Sequence, residues 1–212
     1  MPPRFDAIAF DLLTALIDSW SLWISVAGDE ARGRAWRSAS LLRVTSAGSY
    51  RPYDHIVQEA ADDVGIAKEK TGELLERWSE LKPWPEAREI LERLRGRRLA
   101  IVTNCSQRLA EIAAKATGGD FEVIMSAERA GHYKTAPEAY RATLNTLGLS
   151  PDRVLFVAGS PHDVPGAGAV GMPVYWANRT RAPVPAGGPP PIEVADDLRA
   201  LPALVSAIGF GR

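Results

Sequence analysis

Two carboxylates, an ammonium and a hydroxyl–amide pair stand where this sequence could assemble a small active site. Asp11 closes a short apolar run, Phe5–Phe10, and Thr103–Asn104 closes another, Leu99–Thr103. Asp163 ends the segment Gly159–Ser160–Pro161–His162–Asp163, directly after the apolar run Val154–Ala158. Lys134 precedes the stretch Pro137–Leu147 that leads into that run. A carboxylate can displace a leaving group at carbon and form an ester, which water then hydrolyses. It must stay ionised while partly buried, and a cation within ~4–6 Å lowers its pKa. Lys134 is the candidate cation, and Asp163 could orient or deprotonate the water as a general base. Taken singly, each residue has a plainer reading. Asp11 could end a turn, Thr103–Asn104 could cap a helix, and Lys134 could be a surface lysine. Asp163 could be an acid favoured in a first helical turn. Their convergence from distant segments is what points to catalysis.

The elements that must position them can be read from apolar periodicity. Phe5–Phe10, Leu99–Thr103, Phe121–Met125, Val154–Ala158 and Pro173–Trp176 have the composition of buried strands. Amphipathic stretches Pro85–Arg95, Ser106–Ala116 and Pro137–Leu147 alternate with them, which predicts a parallel sheet covered on both faces. Between Asp11 and Pro85 the pattern is helical instead: Ser19–Asp29, Ala31–Ser46, Tyr53–Val64 and Glu69–Leu81, with breaks expected at Gly28, Gly33, Gly48–Pro52 and Gly65. The expectation is an α/β fold, a Rossmann-like parallel-sheet core with an all-helical cap inserted after the first strand. Residues 1–16 and 84–212 would form the core and 17–83 the cap. Ala182–Pro191 reads as a loop ahead of a closing segment, Ile192–Ile208. Ligands of open parallel sheets bind at the carboxyl ends of the strands, where these residues stand.

Composition narrows the partners. The chain has 212 residues, 46% apolar and 24% charged, with a formal net charge of −1. No Lys/Arg-rich stripe offers a surface for nucleic acid. A single cysteine, Cys105, excludes an internal disulfide framework, and the scattered His55, His132 and His162 show no zinc-ligand spacing. No apolar run approaches the ~20 residues needed to span a bilayer. The N-terminal apolar run ends on a charge and lacks a cleavage site, so it does not read as a signal peptide. A reducing, cytoplasmic setting is the expectation.

The sequence resembles the haloacid dehalogenase superfamily, whose landmarks are a strand-end Asp, a strand-end Ser/Thr, a Lys and a downstream acid. Asp11, Thr103, Lys134 and Asp163 match them in order. More narrowly it is similar to the metal-independent L-2-haloacid dehalogenases. Trp36–Arg37 resembles the segment whose arginine takes the leaving halide, and Asn104 matches a second halide-binding residue. Tyr140 matches an active-site tyrosine, and Tyr175–Trp176–Ala177–Asn178–Arg179–Thr180 resembles a Trp-x-Asn-Arg-Thr stretch. The resemblance implies that backbone N–H groups after Asp11, beginning at Leu12, and the Thr103 hydroxyl hold a substrate carboxylate. Ser160 stands in the segment that would hold the hydrolytic water. No cofactor or metal is implied, the partner is a small carboxylic acid, and a homodimer is expected because many relatives are dimers. Superfamily phosphatases carry a second Asp two residues after the nucleophile, where this chain has Leu13. Where their Gly-Asp-x-x-x-Asp pattern begins, this chain has Gly159–Ser160, so one ligand-type carboxylate is absent there as well.

The chain also departs from its relatives. Their loop Asp-x-Tyr-Gly-Thr is Asp11–Leu12–Leu13–Thr14–Ala15, so both the glycine and the threonine position differ. Their Ser-Ser-Asn-x-x-Asp becomes Ala158–Gly159–Ser160–Pro161–His162–Asp163, which removes a Ser and an Asn that help hold the water; His162 could stand near it. The leading expectation is conversion of an L-2-haloacid to a D-2-hydroxy acid through an aspartyl ester. The alternatives are the same attack on another leaving group such as an azetidine-2-carboxylate ring, a Mg²⁺-dependent phosphatase, and a silent binding homologue. Trp20 and Trp23 are expected to pack the cap, His55 and His132 to be structural or at the surface, and Cys105 to fill the interior.

Overall fold

The computed structural model describes residues 5–208. Strands β1 (Ala7–Asp11), β4 (Arg98–Thr103), β5 (Val123–Ser126), β6 (Val154–Ala158), β7 (Val174–Ala177) and β8 (Glu193–Ala195) form a parallel sheet in the order β5-β4-β1-β6-β7-β8. β1 is central, so its end and those of its neighbours β4 and β6 meet at the point where the chain's direction of winding reverses. Side chains alternate across the sheet, as the two-residue period of a strand requires. On β1, Ile8 and Phe10 enter one apolar core and Ala7 and Ala9 the other. Leu99 and Ile101 of β4 and Leu155 and Val157 of β6 join the first.

The chain leaves the core through β2 (Ile17–Asp18) and returns through β3 (Lys82–Pro83), which pair antiparallel. Between them lie α1 (Ser19–Ala27), α2 (Glu30–Ala47), α3 (Tyr53–Asp63) and α4 (Glu69–Glu76). This ribbon is too short to leave a sequence pattern, and it closes the neck of the expected helical insertion. The first core continues into the insertion through Trp23, Trp36, Val44 and Tyr53. Gly33 does not break a helix as expected. It sits inside α2, where a Cβ would lie 2.4 Å from the Ile24 backbone, so its missing side chain lets α1 and α2 touch. The stretch expected as one helix over Glu69–Leu81 changes to a 3₁₀ turn at Arg77–Glu80, where Trp78 turns inward and donates to the Leu109 carbonyl at 3.1 Å.

After the insertion come α5 (Ala87–Arg93), α6 (Gln107–Thr117), the short α7 (Ala127–Ala130), α8 (Pro137–Leu147), α9 (Asp163–Ala169) and α10 (Leu201–Ile208). Ser106, rather than Thr103–Asn104, caps α6 by accepting the Leu109 N–H. That frees the Thr103–Asn104 pair for other work. Within the closing segment, β8 is a short outer strand not foreseen in sequence. Among the described residues no helix is long and apolar enough to cross a membrane.

Candidate active site

β1 delivers Asp11 to the end of the sheet, and the chain then winds through one π-helical turn, Leu12–Leu16. That turn folds back on the carboxylate. Asp11 Oδ2 accepts the Thr14 N–H at 2.8 Å, the Thr14 hydroxyl at 2.5 Å and the Ala15 N–H at 3.1 Å. Two of the amides that the resemblance assigns to a substrate carboxylate are thus spent on Asp11 itself. Leu12 and Thr103 are fully covered, and neither side chain lines the cavity at the site. Oδ1 of Asp11 faces the other way and accepts from Lys134 Nζ at 2.8 Å.

Lys134 also donates to Asp163 Oδ2 at 2.8 Å, so one buried ammonium bridges two buried carboxylates. Tyr140 donates to Asp163 Oδ1 at 2.7 Å. Tyr140 therefore acts on Asp163 rather than on the cavity. Burial pushes the Asp11 carboxyl upward, but the Lys134 charge and the donors from Lys134 and Thr14 prevail and hold it below the usual carboxylate range. Asp163 goes the other way. Burial, aided by the charge on Asp11, outweighs Lys134 and Tyr140 and raises its pKa. Burial alone would lower Lys134, yet the two carboxylates raise it above its ordinary value. The pair is polarised at neutral pH: Asp11 is a secure anion and Asp163 the more readily protonated carboxylate.

Asn104 lies at the cavity, but its amide clamps the Lys134 backbone. Oδ1 accepts the Lys134 N–H at 2.7 Å, and Nδ2 donates to the Lys134 carbonyl at 2.9 Å. One N–H of that amide stays unspent. Arg37 comes from α2 on the opposite side and is 3% exposed. Its Nε reaches Ser19 Oγ at 3.4 Å, and its guanidinium lies 5.3 Å from the Trp23 ring centroid and 5.8 Å from that of Trp20. Among the described residues it has no carboxylate partner, which is unusual for a buried cation. Trp23 packs the insertion as expected, and with the half-buried Trp20 it forms a cation–π shelf for Arg37.

Asp11, Leu13, Thr14, Arg37, Asn104, Lys134, Ser160, His162 and Asp163 enclose a cavity of about 30 Å³. That volume admits roughly one water molecule. Ser160 Oγ accepts the His162 N–H at 3.3 Å, and the exposed His162 stands at the cavity mouth. Much larger clefts lie elsewhere, one of about 740 Å³ beside Arg88, Glu92, Arg95 and Arg98, but none holds a comparable set of groups. His55 is exposed, and Cys105 is buried, its thiol pushed up to about 12 by burial.

The residue set does not fit a divalent cation. Among the described residues no three His, Cys, Asp or Glu side chains are placed to hold a metal ion. The two available carboxylates are already bridged by Lys134, and Leu13 and Ser160 stand at the superfamily's other acidic positions.

Thr14 and Gly159 were not expected in the site. A Cβ on Gly159 would lie 2.3 Å from both Ala15 N and Thr14 C, so only glycine lets the nucleophile's turn rest against the end of β6. The signal for both residues is present in the sequence, as the shift of threonine by one place in the loop and the loss of a serine near β6.

A parallel sheet with an Asp–Lys–Asp centre at its carboxyl edge is the architecture of the haloacid dehalogenase-like hydrolases. Residues 6–171 match the model of that family, and the chain belongs to it. It is 33% identical to haloacetate dehalogenase H-2 of Moraxella sp. (strain B) over 83% of this chain and 87% of that one. It is 28% identical to (S)-2-haloacid dehalogenase H-109 of Pseudomonas putida over 91% and 94%. Among solved structures, a dehalogenase with an intermediate complex superposes with a TM-score of 0.85 at 26% identity, covering 97% of this chain and 99% of that one.

Proposed function

We propose that this hydrolase converts a small L-2-haloacid to the D-2-hydroxy acid and halide through an ester on Asp11. The observation that carries the reading is the two-sided environment of that carboxylate. Oδ2 is saturated by three donors, whereas Oδ1 accepts from Lys134, and Asp11 lines a cavity that the buried Arg37, with no carboxylate partner among the described residues, also lines. Oδ1 attacks the α-carbon from the side opposite the halogen, the carbon–halogen bond breaks, and the configuration inverts. Arg37 receives the departing halide, with the free N–H of Asn104 as a second donor. Water then adds to Cγ of Asp11 while Asp163 takes its proton, with Ser160 and His162 at the water's side of the cavity. Charge gathers on Oδ2, where the Thr14 and Ala15 donors stand ready in the way an oxyanion hole does. The Cγ–Oδ1 bond breaks, and Oδ1 leaves in the product with the proton returned from Asp163.

The pKa pattern supports this order of events, and the choice of substrate follows the relatives named above, a haloacetate dehalogenase and an (S)-2-haloacid dehalogenase. A cavity of about 30 Å³ is too small for a haloacid, so helices α1–α4 act as a cap that opens for entry and closes to exclude water. Intact mass spectrometry during turnover of L-2-chloropropionate tests the scheme. The expected result is a substrate-sized adduct mapping to Asp11, unaffected by EDTA and absent in Asp11→Asn. Turnover abolished by EDTA, or an adduct elsewhere, would refute it.

A further inference from the structure

The peptide joining Thr14 to Ala15 is held from three directions. Its N–H, on Ala15, donates to Asp11 Oδ2 at 3.1 Å. Its carbonyl, on Thr14, accepts the indole N–H of Trp84 at 3.0 Å. The N–H and C=O of a trans peptide point in opposite directions within one plane, so this group links Trp84 to the carboxylate across a rigid unit. Its third constraint is Gly159, against which the plane rests too closely for any Cβ. The next two carbonyls are engaged as well. Ala15 O accepts from Arg179 Nη2 at 3.1 Å, and Leu16 O accepts the Trp84 backbone N–H at 2.9 Å. Arg179 stacks 4.4 Å from the Trp84 ring centroid and pairs at 2.6 Å with the buried Glu86.

From this geometry we infer that Trp84, braced by Arg179 and Glu86, is a positioning residue for the ester-hydrolysis step on Asp11. Bonding to a carbonyl polarises the amide and strengthens its N–H as a donor, by roughly 10–30%. It also stops the peptide plane from rotating away from Oδ2. Trp84 stands immediately after β3, where the chain returns from the helical insertion, and Arg179 lies in the Trp-x-Asn-Arg-Thr-like segment. The brace gives that segment a task that neither the nucleophile, the base nor the halide site requires. The inference rests on the aspartyl-ester reading, in which Oδ2 becomes the ester carbonyl oxygen.

Trp84→Phe tests it, because an aromatic ring remains under Arg179 while the indole N–H is lost with its pyrrole ring. Wild type and variant are mixed with L-2-chloropropionate, quenched over time and weighed intact, giving the rates of ester formation and decay separately. Removal of a whole oxyanion donor costs about 10²–10³-fold, so loosening one is expected to slow ester hydrolysis by roughly 3–30-fold. Ester formation should change by less than about 2-fold, so the esterified fraction at steady state rises. Arg179→Met is expected to act in the same direction. A merely structural defect would reduce the amount of active enzyme without altering the partition of the ester. An adduct in both proteins with unchanged partition would overturn the inference alone. No adduct on wild type would overturn the ester reading and the inference with it.

Discussion

Lys134 bridges Asp11 and Asp163, and replacing it by methionine exposes the electrostatics of the site. The side chains of the three residues are 3%, 7% and 4% exposed in the order Lys134, Asp11, Asp163. Each contact is 2.8 Å long, which at an effective dielectric of ~20 is on the order of 6 kcal/mol of attraction before desolvation. The net worth is smaller, because all three ions leave water. Breaking a buried pair by removing one partner costs about 3–5 kcal/mol, as the remaining charge stays uncompensated. Lys134→Met leaves two such charges facing each other, so the upper part of that range is expected near neutral pH. The variant has an escape: a carboxyl can take up a proton. Its folded-state pKa then lies above the unfolded value of ~4, so the folded state holds a proton the unfolded chain lacks. Stability must fall as pH rises through that window, by about 1.4 kcal/mol per pH unit for each proton held. Urea unfolding of wild type and variant across a pH series measures this. The deficit should be largest on the alkaline side and shrink on acidification, while the fold persists and turnover is lost. A deficit under about 1 kcal/mol, or one indifferent to pH, would refute the claim that Lys134 carries the charge balance of the site.

Tyr140→Phe removes a donor that lowers the Asp163 pKa, so Asp163 will protonate at higher pH. The acid limb of ester hydrolysis should move upward in a pH–rate profile, with hydrolysis slowed roughly 10-fold by loss of a charge-assisted bond and ester formation little changed. Gly159→Ala forces a Cβ into the Thr14–Ala15 peptide. About 1–3 kcal/mol of stability should be lost in denaturant titrations, and turnover should fall about 10²-fold through displacement of the nucleophile's turn. Arg37→Leu should slow ester formation by about 10²–10³-fold in quenched-flow measurements, more for a chloride than for a bromide substrate, because the poorer leaving group relies more on the cation. Equal losses for both halides would argue that Arg37 serves the fold of the insertion instead.

Much of this site was legible because its chemistry sits at the ends of strands. Asp11, Asn104 and Asp163 each come after a compact apolar run, and runs of that kind declare a buried strand and its end together, though Thr103, the other half of the pair with Asn104, proves to be covered. The helical insertion was equally plain from its periodicity. What escaped lacks local pattern. The Trp84–Thr14 bond spans 70 positions and the Arg179–Ala15 bond 164; Trp84 has no local pattern of its own, and the Trp-x-Asn-Arg-Thr-like stretch marks Arg179 without saying what it touches. The water-holding serine of the relatives reads as Ala158 here and Gly159 carries no assigned role in the sequence, yet in three dimensions its missing side chain admits the nucleophile's turn. Asn104 read as a ligand for halide, and its amide first serves to clamp the Lys134 backbone. The short outer strand β8 hid behind a Pro/Gly-rich loop, where a few half-exposed residues leave no alternation to detect.

The central claim is that Oδ1 of Asp11 attacks carbon and that water later attacks Asp11, not the substrate. A single turnover in H₂¹⁸O, with enzyme in excess over L-2-chloropropionate, addresses it directly. The account predicts an unlabelled D-lactate hydroxyl and one ¹⁸O in the peptide containing Asp11. Label in the lactate hydroxyl with none in Asp11 would mean that water displaces the halide itself, and the ester mechanism would be wrong.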